Sequence, residues 1–447
     1  MRSLIIDVSP LRASPEFRLV FAARVVSLFG IALTTVGVPW QVYAMTHSSL
    51  DVSLAAALVG GTTLVGTLAG GVVSDRCDRR VVILTCRAMA ALVFTVLAVN
   101  AALPSPQLWL LYLCVAVNGA TAVSQSALMA VTPAIVRREQ LAAAGALVAL
   151  STQIGAVVGP SVAGLLIAGP GLTVNFALCA AASAVTTGLL WFLPSLPPQG
   201  GTTAHPLSAI REGAAFVARN RVVRGVLLID AAAMLFALPQ VLFPQVVVEV
   251  LGRGPEVAGL LYTAPAIGAM VAALTSGWTT TVRRTGRVLL LAVALYGVAI
   301  GLFGLSPLAP VGDPLVWACA FLVVAGASDM VSEILRRALL ADVTPDHLQG
   351  RVSSVWLAQA TVGPSAGGVE AGVASRLLGP GPAIAAGGGV CVVATAALAA
   401  LLPPLRRASL QPPAPEEPLP AGDPLPGVAE HAPLEPEVAA HEADVRR

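Results

Sequence analysis

Apolar runs of about 20 residues, each long enough to cross the hydrocarbon core of a bilayer as a helix, recur along this chain with short polar turns between them. The pattern predicts about twelve spans in two sets. The first set covers residues 20–43, 54–74, 81–103, 108–131, 142–167 and 172–192. The second covers 222–247, 258–276, 288–305, 315–335, 352–374 and 382–402. Between the sets, 194–206 reads as a loop, and from Leu207 an amphipathic segment runs through Ile210, Arg211, Glu212, Phe216, Arg219 and Arg221. A helix of that pattern is expected to lie on the inner membrane surface. The fold class expected is an all-α polytopic membrane protein. Its parts are a six-helix half over 1–193, a cytoplasmic linker over 194–221, a second half over 222–405 and a tail over 406–447. The tail is rich in Pro, Glu and Ala and is expected to be disordered.

Composition removes the soluble alternatives: 56% of the 447 residues are hydrophobic and 11% charged. The segment before Phe17 is broken by charges and by Pro10 and Pro15, and the first apolar run is too long for a signal-peptide core, so no cleavable signal is expected. All 26 basic residues are arginine, which excludes a Walker A phosphate loop, a Schiff-base lysine and a Ser-Lys dyad. A net charge of +2 gives no reason to expect nucleic-acid binding. The six cysteines form no Cys-x-x-Cys pair and the histidines lack metal-ligand spacing, so neither a metal nor a cofactor is expected. Arginine placement sets the topology. With the N-terminus inside, the inner loops and span ends hold Arg76, Arg79, Arg80, Arg283, Arg284, Arg287, Arg336, Arg337 and others, against Arg253 and Arg376 outside. Both termini are therefore expected in the cytoplasm.

Short motifs repeat between the sets. Leu-Ala-Gly-Gly at 68–71 and Leu-Thr-Ser-Gly at 274–277 both precede arginines, Val-Thr-Pro at 131 recurs at 343, and Val-Gly-Pro-Ser at 158 recurs at 362. Offsets of 206, 212 and 204 residues in the same order argue for duplication. Ionisable groups inside spans are costly and are default functional candidates. Here they are Arg24 in span one, Asp230 in span seven, Asp329 and Glu333 in span ten and Glu370 in span eleven. Span four adds the polar Asn118, Ser124 and Gln125. An acid that alternates between a buried setting and an arginine can bind and release a proton, which makes Asp230, Asp329, Glu333 and Glu370 proton-coupling candidates. Glu333 also lies close to Arg336 and Arg337, which suits a structural ion pair.

The turn from 71 to 80, Gly-Val-Val-Ser-Asp-Arg-Cys-Asp-Arg-Arg, resembles the signature loop between helices two and three of the major facilitator superfamily. The second glycine of that pattern is Asp78 here. Gly71 permits close helix approach, Asp75 can accept hydrogen bonds from a neighbouring helix end, and Arg76, Arg79 and Arg80 suit the anionic inner face, so the loop is expected to be a conformational latch. The fifth span resembles the helix motif of proton-exchanging exporters through Gly155, Gly159, Pro160 and Gly164. The resemblance implies a cavity near the midplane lined by helices one, four, seven and ten, with Arg24, Asn118, Ser124 and Gln125 as lining candidates. Further stretches resemble bacterial siderophore exporters of the enterobactin-exporter type: Phe-Ala-Ala-Arg at 21–24, Met-Thr-His-Ser at 45–48 and Gly-Leu-Phe-Gly-Leu at 301–305. That resemblance implies proton-driven export of a small amphipathic metabolite, a siderophore, across the bacterial inner membrane. The partners it implies are the substrate, protons and the lipid bilayer. Multidrug or macrolide efflux is the alternative within transport. A polytopic membrane enzyme ranks lower, because no nucleophile with a nearby base and no His/Glu metal cluster is visible.

Overall fold

The computed structural model describes residues 8–124, 128, 131, 135–193, 206–309 and 311–410, the side chains of 71–72, 74–75, 206–210 and 280–281 excepted. The membrane helices are α1 (Pro15–Thr46), α2 (Ser49–Arg76), α3 (Arg79–Ala102), α4 (Leu108–Ala120), α5 (Leu141–Ala168) and α6 (Leu172–Trp191). A linker helix, Pro206–Arg219, precedes α7 (Arg221–Phe236), α8 (Pro255–Leu274), α9 (Thr285–Gly304), α10 (Pro314–Val343), α11 (Asp346–Leu378) and α12 (Pro380–Leu401). By length and composition, ten helical segments among the described residues are apolar enough to cross a membrane. Of the other two, α11 is long but more polar, and α4 has 13 described residues.

Short polar residues start these helices by capping free N–H groups. Ser14 accepts from Phe17 N, Ser48 from Asp51 N, Asn220 from Val222 N and Val223 N, and Asp313 from Leu315 N. Asp78 caps α3 by accepting from Arg80 N at 2.8 Å, with φ at −59°. The position where the family pattern has glycine thus needs no left-handed backbone here.

Two spans depart from uniform helices. At the end of α4 the Thr121 hydroxyl takes the Asn118 carbonyl at 2.6 Å, a side-chain bond that competes with the helical ladder. Past α7, one continuous span was expected over 222–247. Instead the chain passes through a 3₁₀ turn at Pro239–Leu242, a short α turn at Phe243–Gln245 and a π turn at Val246–Val250. Pro239 and Pro244 remove two N–H donors. Tyrosines satisfy carbonyls at the break: Tyr296 Oη donates to Ala237 O at 2.6 Å and Tyr262 Oη to Gln240 O at 2.9 Å.

Packing follows the repeat. Within the first half α1 lies on α5 and α6, and α3 on α6; within the second, α7 lies on α11 and α12, and α9 on α12. The halves meet along α5 with α8 and α2 with α11. The duplicated Val-Gly-Pro-Ser motifs sit on those two seams. Ser161 Oγ pairs with Thr263 Oγ1 at 2.8 Å, and Ser365 Oγ donates to Ala56 O at 3.2 Å. Each copy therefore supplies a serine that bonds the opposite half. Large apolar side chains such as Val65, Leu165, Leu291 and Leu377 stay exposed on the outside of the bundle, as a lipid-facing surface requires.

The described part of the linker helix's apolar face meets protein, where the sequence suggested a membrane surface. Phe216 and Val217 pack instead with Val223, Leu227 and Val352 at the base of the second half, and Glu212 pairs with Arg351. Packed structure also continues past the expected boundary at 405. Leu405 is fully buried, Gly286 N donates to Ala408 O at 2.9 Å, and Leu410 N donates to Thr285 Oγ1 at 3.3 Å. Residues 411–447 lie outside the described residues.

Candidate functional site

Between the halves lies a cavity of about 600 Å³. Its walls are mostly apolar (Ile31, Val38, Val52, Val59, Phe94, Leu97), with Thr34, Thr63, Asn118, Gln240, Tyr262 and Thr361 among the polar positions. Asn118, a lining candidate from the sequence, is among these residues. The other lining candidates do not join it. Ser124 is buried and donates to Thr121 O at 2.9 Å, and Gln125 lies outside the described residues. Arg24 lines a separate pocket of about 130 Å³ with Ser27 and Arg87. Its helix is apolar all round, so sequence alone left the direction of the side chain open.

A third pocket, of about 250 Å³, collects the charged groups of the second half: Asp230 from α7, Asp329, Glu333 and Arg336 from α10, and Trp356 from α11. Leu238, Ala360 and Pro364 line both this pocket and the central cavity. Arg336 sits between two carboxylates. One amino group is bonded to Asp230 Oδ1 and the other donates to Asp329 Oδ1 at 3.3 Å. Gln359 Nε2 closes the other side of Asp230, donating to Oδ2 at 2.9 Å. Asp230 and Arg336 are 1% and 6% exposed, whereas the Asp329 side chain is 54% exposed. Beside them, Arg337 pairs with Glu333 at 2.5 Å and lies over the Trp356 ring at 4.9 Å.

Sequence reasoning counted Arg336 among the inner-loop arginines, because span ten was drawn to end at 335. In fact α10 continues to Val343, and Arg336 is interior. The signal was present: Asp329 and Arg336 stand seven residues apart, two turns along one helix face. Glu370 does not join this cluster, and borders a small gap with Phe236, Leu242 and Ile384.

The side-chain hydrogen bonds that cross between the halves, among the described residues, lie toward the end of the bundle that holds the α1–α2 turn. Tyr43 Oη donates to Glu249 Oε1 at 2.5 Å, and Ser53 Oγ to Gly368 O at 2.6 Å. Gln245 is the hub there. Its Oε1 accepts from Ser49 Oγ and, at 2.6 Å, from Ser375 Oγ, and its Nε2 donates to Glu249 Oε2 at 2.8 Å. Gln245→Leu removes three bonds of roughly 1 kcal/mol each. The variant is expected to speed amide hydrogen exchange over residues 43–53 while exchange in α9 stays unchanged; equal protection in both proteins would show that Gln245 does not hold this end shut.

The exporter-type positions sit on close contacts. A Cβ at Gly155 would meet Leu28 Cβ at 3.3 Å on α1, and one at Gly164 would lie 2.7 Å from Pro255 O on α8. Gly159 abuts Ala32, and Pro160 O faces Gly259. In the loop between α2 and α3, Arg76 is exposed, and Arg79 and Arg80 are half-buried. Arg80 donates to Trp191 O at 2.5 Å and lies over that ring at 5.7 Å, a contact within its own half. The side chains of Gly71 and Asp75 lie outside the described residues.

Two halves of six helices, joined along two small-residue seams around a central cavity, define a multi-pass secondary carrier of small molecules and not an enzyme. The chain belongs to the Major Facilitator Superfamily, whose profile matches residues 20–334 and, in a second placement, 231–441. It is 35% identical over 413 residues to the enterobactin exporter EntS of Shigella boydii serotype 18, covering 92% of this chain and 98% of that protein. The same figures hold for the enterobactin exporter EntS of Escherichia coli O139:H28. Among solved structures, the nucleoside transporter NupG superposes with a TM-score of 0.70 at 13% identity, over 87% of this chain and 99% of that one. A POT family transporter in complex with 5-aminolevulinic acid superposes with 0.68 at 12% identity, over 88% and 97%. At those identities the likeness is one of fold.

Proposed function

We propose that the protein exports a siderophore, a small amphipathic metabolite, from the cytoplasm by proton-coupled alternating access across the bacterial inner membrane, with both termini cytoplasmic. Homology to enterobactin exporters over nearly the whole chain supports the substrate class. The observation that carries the coupling is the sharing of Arg336 by Asp230 and Asp329 beside the central cavity. Glu333 has its own arginine in Arg337, so two carboxylates face one remaining cation. One proton neutralises the surplus charge. Asp329 is open to the pocket and suits proton exchange with water, whereas Asp230 is sealed by Arg336 and Gln359. Protonating either acid loosens its hold on Arg336, which frees α10 to move against α7.

The two moving bodies we assign are 1–193 and 222–405, joined by 194–221. With the N-terminus inside, the bonds around Gln245 close the outer end, so the cavity in this conformation serves the cytoplasmic side. The 71–80 loop, with Gly71, Asp75, Arg76, Arg79 and Arg80, is then the latch for the opposite conformation.

Deleting the gene under iron limitation is expected to raise the intracellular siderophore pool and lower the secreted one, and a protonophore is expected to reproduce this in wild-type cells. Unchanged pools would overturn the siderophore assignment. The apolar walls of the central cavity favour one second reading, multidrug or macrolide efflux. A drug-susceptibility panel on the same deletant tests it.

A further inference from the structure

We infer that the pocket of the first half that holds Arg24 and Arg87 is an oxyanion subsite for the transported molecule. The inference rests on the export reading above and adds to it the charge of the substrate. Two cations line one pocket of about 130 Å³ in the first half, the exposed Arg24 from α1 and the half-buried Arg87 from α3. Neither takes part in an ion pair among the described residues. Their hydrogen bonds there are to hydroxyls: Arg87 Nη1 donates to Ser27 Oγ at 2.9 Å, and Arg24 Nη2 to Thr152 Oγ1 at 3.4 Å. Arg87 Nε is buried and has no acceptor among the described residues. A guanidinium carries five N–H donors, so the pair retains unused hydrogen-bonding capacity toward this pocket. An unpaired cation within a span is costly, and an anion bound in the pocket would supply the missing counter-charge and an acceptor for the unsatisfied donor.

The other walls specify the rest of the ligand. Phe17, Phe21, Leu128 and Leu190 border the pocket, so an apolar or aromatic body fits beside the oxyanion. Ile31 lines this pocket and the central cavity, which makes the subsite a side chamber of the substrate path. The class that matches is an aryl carboxylate or a comparable aromatic oxyanion. Its charge complements the second half, where Asp230 and Asp329 share Arg336. A substrate held by the arginines and a proton held by the carboxylates then occupy opposite halves.

Calorimetric titration of the full chain in phosphatidylcholine nanodiscs tests this with benzoate, and with benzamide as its uncharged counterpart. Benzoate is expected to bind at least about tenfold more tightly than benzamide. Arg87→Gln and Arg24→Gln are each expected to weaken benzoate by about tenfold without altering benzamide, and Arg87→Lys is expected to recover part of the loss. If Arg87→Gln does not fold, Arg24→Gln, whose side chain is exposed, carries the same test. Equal affinity for the two probes, or full benzoate affinity in both folded glutamine variants, would overturn the subsite. An anionic lipid headgroup offers the same oxyanion chemistry. Loss of benzoate binding in phosphatidylglycerol nanodiscs, with that lipid retained by wild type but not by Arg24→Gln, would assign the pocket to lipid and overturn the substrate role. Binding needs no transport, so the two readings fail separately. Normal benzoate binding with unchanged siderophore pools in the deletant would overturn export and support the subsite.

Discussion

Arg336→Gln is expected to abolish proton-driven transport and to destabilise the second half by roughly 3–5 kcal/mol, the cost of leaving a buried charge without its partner. Asp230 is 1% exposed and its partners are Arg336 and Gln359. Without the guanidinium it must either stay ionised at that depth or remain permanently protonated. The first outcome costs stability and the second removes the group from the cycle. A double variant separates the two effects. Arg336→Gln with Asp230→Asn removes both buried charges together, and it is expected to recover much of the lost stability while transport stays uncoupled. Thermal unfolding in detergent measures the first quantity, and substrate movement into proteoliposomes with and without an imposed pH gradient measures the second. The single variants Asp230→Asn and Asp329→Asn are expected to fold and to lose gradient-driven movement. Gradient-driven accumulation at the wild-type rate by Arg336→Gln would remove this cluster from the coupling mechanism.

The sequence carried the element plan because a membrane span is written in composition, and composition needs no tertiary information. The runs over 20–43, 142–167 and 352–374 each fall within a helix. Direction was harder to read. In a helix that is apolar all round, periodicity does not mark an inner face, so Arg24 and Asp230, both inside spans, could not be told apart as side-pocket and cluster residues. Arg336 was hidden for a second reason. Arginines near span ends are read as topological markers, and that rule consumed Arg336, which lies between two acids. Polar contacts between distant segments, such as Gln245 with Ser49 and Ser375, depend on the packing of α2, α11 and the broken segment after α7 and leave no local trace. The repeats did point to long-range structure. The two Val-Gly-Pro-Ser copies bond opposite halves, because duplication places each on an equivalent seam.

The same seams set the second large effect. Gly164→Ala is expected to lower transport by at least about tenfold, because one extra methyl group there is overpacked by roughly 1–3 kcal/mol. The added Cβ would stand 2.7 Å from Pro255 O and 3.0 Å from Gly259 Cα, and both obstacles are backbone. A flexible side chain could turn aside, but two helix backbones can only separate. In response, α5 and α8 must part where the halves close, at the end also held by Gln245. The conformation described here is then disfavoured, and a carrier that cannot complete one end of its cycle does not turn over. Gly145 provides the control on the same helix, since a Cβ there meets nothing within 4 Å. Gly145→Ala is expected to transport within about twofold of wild type, because a methyl group placed in open space has no overpacking cost. Initial rates in proteoliposomes, corrected for the amount of folded protein, compare the two. Equal rates for Gly164→Ala and Gly145→Ala would mean that close approach of α5 and α8 is not required for transport, and the exporter-type motif would then reduce to packing within the first half.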